Sequence, residues 1–224
     1  MKVRLVSYSQ PTEEFKEEGI SNVQDLVAFC ARVSNPSNQI NSETSERLIS
    51  YLVKHKHWSP LEMASACLEI TTTRDIARQI LRHRSFAFQE FSQRYANPVQ
   101  DLNFETREAR LQDYKNRQKS LEVDDPDLKA RWEDQQDFII KCARSAYDWA
   151  IVNGIAKEQA RAVLPEGLIE SRLYMNGSLR SWIHYIELRS DNGTQKEHQE
   201  IAKECAKVIA KIFPLMQKFN DGFI

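Results

Sequence analysis

The chain has 224 residues, enough for one sizeable buried core, and its 31 basic and 32 acidic residues leave a net charge of −1. That balance removes any global field drawing the protein onto nucleic acid or an anionic membrane, so recognition has to come from local charge. No stretch approaches the roughly 20 apolar residues that span a bilayer, and there is no signal-peptide core. Cys30, Cys67, Cys142 and Cys205 form no C-x-x-C pair, so a reducing, cytoplasmic setting is expected.

Lys2 to Ser9 alternates as a strand does. Ser21-Asn22 predicts the cap of a helix carrying Val23, Leu26, Val27 and Cys30 at helical spacing. A second helix is expected from about Ser42 to Lys54, burying Leu48, Tyr51 and Leu52, with a break at His55 to Pro60. Ala64 to Thr73, rich in β-branched residues, predicts a strand. Thr73 or a neighbour then caps a helix with the stripe Ile76, Ala77, Ile80 and Leu81, closed by Arg82-His83-Arg84. The charged stretch Asp101 to Val123 is expected to be a solvated helix. Asp125-Pro126 starts a long helix, expected to bury Trp132, Ile139, Cys142, Ala146 and Trp149 and to end at Asn153-Gly154. A short helix holds Ala160-Arg161, Ser171 to Met175 is a strand, and Ser178 to Leu188 is a helix. A last helix runs from Gln195 to Ile212 through Ile201, Cys205 and Val208. Without repeats or linkers, residues 1–224 are expected to make one α+β domain, helices packed on a small antiparallel-rich sheet.

Five arginines fall within the 21 residues from Arg74 to Arg94, and no lysine occurs between Lys56 and Lys115. A guanidinium is a rigid planar fork of donors suited to phosphate or a pyrimidine edge, whereas an ammonium is a hydrated point charge. Arg74, Arg78 and Arg82 stand four apart, on one helix face, with only Asp75 nearby to relieve their repulsion. Such a face is either solvated or turned to an anionic ligand. His83, between two cations, is expected to stay neutral and to offer one donor and one acceptor. Arg189 near a helix C-terminus complements the helix dipole or serves a ligand, and Arg161 precedes Leu164-Pro165. No glycine occurs between Gly19 and Gly154, which excludes a Walker loop or G-x-G-x-x-G there. His55-x-His57 has no third ligand at metal spacing, so no metal is expected. None of the cysteines sits in a context that would make it a nucleophile.

These residues together resemble the flavin-dependent thymidylate synthase family, whose signature is R-H-R-x-x-S-x-x-x-x-S-x-R. Arg82-His83-Arg84, Ser92 and Arg94 stand at the matching positions, Tyr95 follows, and Ala87 replaces the first serine. Ala31-Arg32-Val33-Ser34, His57-Trp58-Ser59-Pro60-Leu61-Glu62, Arg161 to Pro165, and Leu179-Arg180-Ser181 with Leu188-Arg189 are similar to further family segments in the same order. His184 and Glu197-His198 depart from the usual residues.

The resemblance implies a homotetramer with active sites between subunits. It implies that FAD is reduced by NADPH and that dUMP is methylated to dTMP with methylenetetrahydrofolate as carbon donor. It places Ser34, Ser59, Arg82, His83, Arg84, Glu90, Ser178, Arg180 and His184 on the flavin side. Gln79, Arg82, Glu90, Phe91, Ser92, Gln93, Arg94, Arg161 and Arg189 are placed around dUMP, with Arg189 polarising the pyrimidine. Two other classes compete. One is a single-stranded nucleic-acid-binding module in which Phe86, Phe88, Phe91 and Tyr95 stack on bases. The other is a helical assembly protein whose arginines pair with acids on neighbouring subunits. Neither nucleic acid nor membrane is an expected partner.

Overall fold

In the computed structural model, which describes residues 1–220, the alternating N-terminal segment forms strand β1 (Lys2–Tyr8). After α1 (Glu13–Glu17) comes α2 (Val23–Ala31), capped by the Asn22 side chain, which accepts the Asp25 N–H at 3.0 Å. α3 (Ser45–Lys54) ends at a corner where Lys56 takes φ 60°, and a 3-10 turn over Ser59–Glu62 leads into β2 (Ser65–Thr73). β2 runs without a loop into α4 (Arg74–Ile80), followed by β3 (Ala87–Glu90) and α5 (Pro98–Asp101). A hairpin of β4 (Arg110–Gln112) and β5 (Ser120–Glu122) precedes the long α6 (Pro126–Val152) and the short α7 (Lys157–Ala160). β6 (Glu170–Ser178) passes directly into α8 (Leu179–Ser190), and α9 (Lys196–Ala210) and α10 (Met216–Asn220) complete the order.

The main sheet is antiparallel throughout, in the order β1-β2-β6-β3. Its spine is the unbroken nine-residue register of β2 on β6, from Ser65 opposite Ser178 to Thr73 opposite Glu170. Side chains alternate across a strand, so Ala66, Leu68, Ile70, Leu173 and Met175 all fall on one buried face. α8 and α9 cover that face with Trp182, Ile183, Ile186, Ile201, Cys205 and Ile209. Burying each larger aliphatic side chain contributes about 1.5–3 kcal/mol. The Trp182 indole N–H also donates to the Ala66 carbonyl at 3.0 Å, so this buried polar group is satisfied. The opposite face carries a polar ladder, with Glu69 accepting from Arg4 at 2.9 Å and from the Tyr174 hydroxyl at 3.0 Å.

The secondary structure and the buried helix faces depart from the sequence expectations at three elements. The segment 102–123 is not a helix: the Asp113 carboxylate accepts the N–H groups of Lys115 (2.8 Å) and Asn116 (3.2 Å), closing a turn between β4 and β5. In α3 the buried positions are Ile49, Leu52 and Val53, while Tyr51 is exposed and lies against His55. In α6 the face packed on this chain is Gln136, Ala143, Tyr147 and Ala150. The expected stripe through Trp132, Ile139, Cys142, Ala146 and Trp149 lies one position round the helix and is exposed, Trp149 at 63%. α6 docks through Gln136, which accepts the Arg107 N–H at 2.8 Å and donates to the Arg107 carbonyl at 2.9 Å, much as a β-strand neighbour would.

Gly177 is the glycine that packing demands. A Cβ there would lie within 2.6 Å of Phe86 Cε1, because the Phe86 ring rests directly on the β6 backbone. Gly177→Ala is expected to destabilise by about 1–3 kcal/mol, the usual range for overpacking. Thermal unfolding should show the loss. Combined with Phe86→Ala it should be much less than additive, since the second change removes the clashing ring.

Candidate active site

Two strand-to-helix junctions build the site. α4 leaves the β2 end of the ladder and α8 leaves the opposite, β6 end. At their far ends Arg189 donates from Nε to His83 Nε2 at 2.9 Å. α4 stops at Ile80, so Arg82-His83-Arg84 lies in the turn beyond it and not on the helix face shared by Arg74 and Arg78. The His83 N–H bonds back to the Ile80 carbonyl at 3.1 Å, and the Phe86 N–H to the His83 carbonyl at 3.3 Å. Phe86 meets Trp182 edge-on at 4.8 Å, and His83 meets Tyr185 edge-on at 4.9 Å. The turn is thus fixed by a cluster of aromatic rings in favoured geometry.

Behind His83 lies a polar cluster that the sequence reading did not assemble. Tyr185 Oη is 3.1 Å from His198 Nε2, and His198 Nδ1 is 3.3 Å from Gln79 Oε1. Gln79 Nε2 donates to Gln195 Oε1 at 2.9 Å, and Gln195 Nε2 to Glu197 Oε2 at 2.9 Å. Glu197 is also paired with Arg110. The signal for Tyr185 was its spacing of four from Arg189 on one helix face; His198 and Gln195 had no local signal. Burial, and then the charge of Arg189, lowers the His83 pKa to about 4. Burial, Arg189 and His83 lower that of His198 to about 3. The expectation that Arg82 and Arg84 keep His83 neutral is corrected: its neutrality comes from desolvation and Arg189.

Arg74 and Arg78 do have acidic neighbours. Arg74 is nearly buried, 3.3 Å from Glu166 and 3.8 Å from Glu90, and Arg78 is 3.6 Å from Glu166. These acids come from distant segments, so no reading of helix spacing reveals them. Ser171 Oγ donates to Glu90 Oε1 at 2.8 Å. The next residues form a second group: Gln93 is buried with Nε2 unpaired, Ser92 Oγ accepts the Arg94 N–H, and Phe91 is half-buried. Glu158 draws Arg94 (3.4 Å) and Arg161 (3.3 Å, to its carbonyl) together.

A third group surrounds the start of α8. Ser178 caps the helix, Arg180 pairs with Glu62, His184 lies edge-on to Trp58 at 4.4 Å, and Ser59 opens the adjoining turn. Arg82 and Arg84 are exposed, and among the described residues their side chains have no partner. Ser34 stands apart, exposed beyond α2, while its neighbour Arg32 is buried and donates to the Asn41 carbonyl and to Thr44 Oγ1. Phe86 and Phe88 pack against the core, which leaves Tyr95 as the exposed ring of the motif. Among the described residues no group of three or more His, Cys, Asp or Glu is placed to hold a metal, and no helix is long and apolar enough to cross a membrane. Burial raises the thiol pKa of Cys30, Cys67 and Cys205, the opposite of what a nucleophile needs.

An α+β fold in which Arg189 rests on a neutral histidine and, among the described residues, has no carboxylate partner has the chemistry to take a small anion at helix ends. Comparison with known proteins is more specific. The family model Thy1, thymidylate synthase complementing protein, matches residues 18–215, and the chain belongs to this family. It is 45% identical over 221 residues to a protein of Paramecium bursaria Chlorella virus 1 described as a probable flavin-dependent thymidylate synthase, covering 99% of each chain. It is 46% identical over 214 residues to the flavin-dependent thymidylate synthase of a Synechocystis strain, covering 96% of each. Its fold matches a UMP/dUMP methylase, PolB, from Streptomyces cacaoi with TM-score 0.77 at 23% identity, over 99% of this chain and 94% of that one.

The two depressed histidines set an acid limit on stability. Their folded pKa values, about 4 and about 3, lie below the ordinary imidazole value of about 6.5. As pH falls below about 6.5 the unfolded chain therefore takes up protons that the folded chain refuses. Each histidine tilts stability by up to about 1.4 kcal/mol per pH unit in that window. Unfolding in denaturant between pH 7 and pH 4 should show stability falling with pH, and His198→Gln should make the fall shallower.

Proposed function

We propose that this chain makes dTMP from dUMP, with methylenetetrahydrofolate as carbon donor and NADPH-reduced FAD as hydride source. The observation that carries the reading is Arg189. Its Nε is engaged by a neutral imidazole, its two Nη groups are left over, and among the described residues it has no carboxylate partner. A half-buried guanidinium without a counter-charge favours an anion, and its planar end matches a pyrimidine edge. Carbon 5 of uracil is a poor nucleophile until negative charge builds on the ring. Arg189, fixed beforehand by His83, stabilises that charge without reorganising. A protonated His83 would have no bare nitrogen to accept the Arg189 N–H, so its neutrality is what lets it hold the guanidinium in place.

Gln79, Arg82, Glu90, Phe91, Ser92, Gln93, Arg94 and Arg161 are the further residues for dUMP, and the unpaired Nε2 of Gln93 is a donor waiting for an acceptor. Ser34, Ser59, Arg82, His83, Arg84, Glu90, Ser178, Arg180 and His184 would hold FAD. The guanidiniums of Arg82 and Arg84, without partners among the described residues, fit its diphosphate, in a chain without a glycine loop for that purpose. When bound, the flavin supplies the hydride chemistry, and the side chains supply position and field.

The whole of residues 1–224 would act as one domain in a cytoplasmic homotetramer, with neither nucleic acid nor membrane as partner. Self-association is supported by α6 and the segment after it, where Phe138, Trp149, Ile155 and Val163 line an exposed apolar groove of about 980 Å³. An apolar patch of this kind on a protein surface marks an interaction face.

Losing one preorganised donor costs about 10²–10³ in rate. Arg189→Ala and Arg189→Lys are expected to slow single-turnover dTMP formation by about that factor, while flavin reduction by NADPH, followed by stopped flow, survives. Methyl transfer at the parent rate would make Arg189 a helix-end cation only. Trp149→Asp should lower the oligomeric state seen by sedimentation velocity; an unchanged state would remove α6 from the interface.

A further inference from the structure

Tyr185, His198, Gln79, Gln195 and Glu197 are joined by hydrogen bonds whose donors all point the same way. Neither glutamine nor neutral histidine has such a direction by itself. An amide can be turned end for end, and an imidazole carries its proton on either nitrogen. Glu197 has a direction, because its carboxylate, held by Arg110, only accepts. Gln195 must therefore present Nε2 to it, at 2.9 Å, and turn Oε1 towards Gln79. That oxygen only accepts, so Gln79 meets it with Nε2 at 2.9 Å and turns its own Oε1 to His198. His198 Nδ1, 3.3 Å from that oxygen, carries the proton, and bare Nε2 accepts the Tyr185 O–H at 3.1 Å. The ring is wholly buried.

We propose that Glu197 is a positioning residue: through Gln195 it fixes which end of the Gln79 amide faces the ligand site, and through Gln79 it fixes the tautomer of His198. A reversed Gln79 would set oxygen against the Gln195 oxygen and N–H against the His198 N–H. Only a reversal of the whole chain would avoid those clashes, and the carboxylate forbids it. The second hydrogen on Gln79 Nε2 is then always offered as a donor, so the site reads an acceptor such as a uracil carbonyl oxygen. This last step rests on the dUMP reading above; the polarity of the chain does not.

The test uses the full-length protein, deuterated and labelled with ¹⁵N-histidine, with long-range ¹H–¹⁵N spectra for the tautomer and calorimetry with dUMP. His198 is expected wholly as the Nδ1–H tautomer. Glu197→Gln, which can donate or accept, should give a mixture of tautomers. It should also weaken dUMP binding about three- to tenfold, the worth of one ordinary hydrogen bond. Gln195→Met breaks the chain without touching the Arg110 pair and should mix the tautomers too, so the proposal is testable even if Glu197→Gln folds poorly. His198→Gln keeps a donor towards Gln79 and an acceptor towards Tyr185, and should bind dUMP within about twofold of the parent, whereas His198→Leu should not. An Nε2–H tautomer in the parent protein, or pure Nδ1–H in both Glu197→Gln and Gln195→Met, overturns the proposal. If the tautomers mix as expected but no form of the protein binds dUMP, the relay stands and the dUMP reading falls.

Discussion

The pairing of β2 with β6 is the constraint on which the rest of the structure depends. Nine consecutive residues of each strand are matched, and both strands pass into helices at the very residue where pairing ends. The ladder therefore sets where α4 and α8 begin, how each is rotated, and where Arg189 meets His83. A slip of one residue would turn the apolar set of the shifted strand, Leu68 and Ile70 or Leu173 and Met175, to the outer face. The apolar alternation that makes the core thus also guarantees the spacing of the site.

The electrostatic design follows from that rigidity. Several arginines elsewhere are neutralised: Arg74, Arg78, Arg94, Arg107, Arg110 and Arg180 each have an acid within reach. Arg189 is given two depressed histidines in its neighbourhood instead. Burial and this cation together disfavour protonation of both rings, so they remain uncharged beside the guanidinium.

Much of this was legible in the sequence, for identifiable reasons. β1, β2, α2, α4, α8 and α9 were readable because their patterns of apolar residues are strong and their caps are ordinary: Asn22 and Ser178 cap as their residue types suggest. The long α6 was readable as a helix, but its inner face was not. An exposed stripe of Trp132, Ile139 and Trp149 has the same period as a buried one, and the true inner face hides behind a glutamine and two alanines. The β4–β5 hairpin is hidden because a charged stretch reads as a solvated helix, although Asp113 and Asn116 are turn residues. The arginine motif pointed to the site. Its partners Glu158, Glu166, Gln195 and His198 come from distant segments, and only the fold brings them there.

The loopless junctions at Thr73–Arg74 and Ser178–Leu179 also bear on motion. Domain closure needs a few backbone positions free to change their torsions. Here the backbone passes from ladder to helix with Leu179 N–H bonded to the Ala64 carbonyl and Arg74 N–H to the Ile169 carbonyl, both at 2.9 Å. The half of the site formed by α4 and α8 has no hinge of its own. Ladder, junctions and helices thus form one continuous frame, with no loop between strand and helix to absorb a change of torsion.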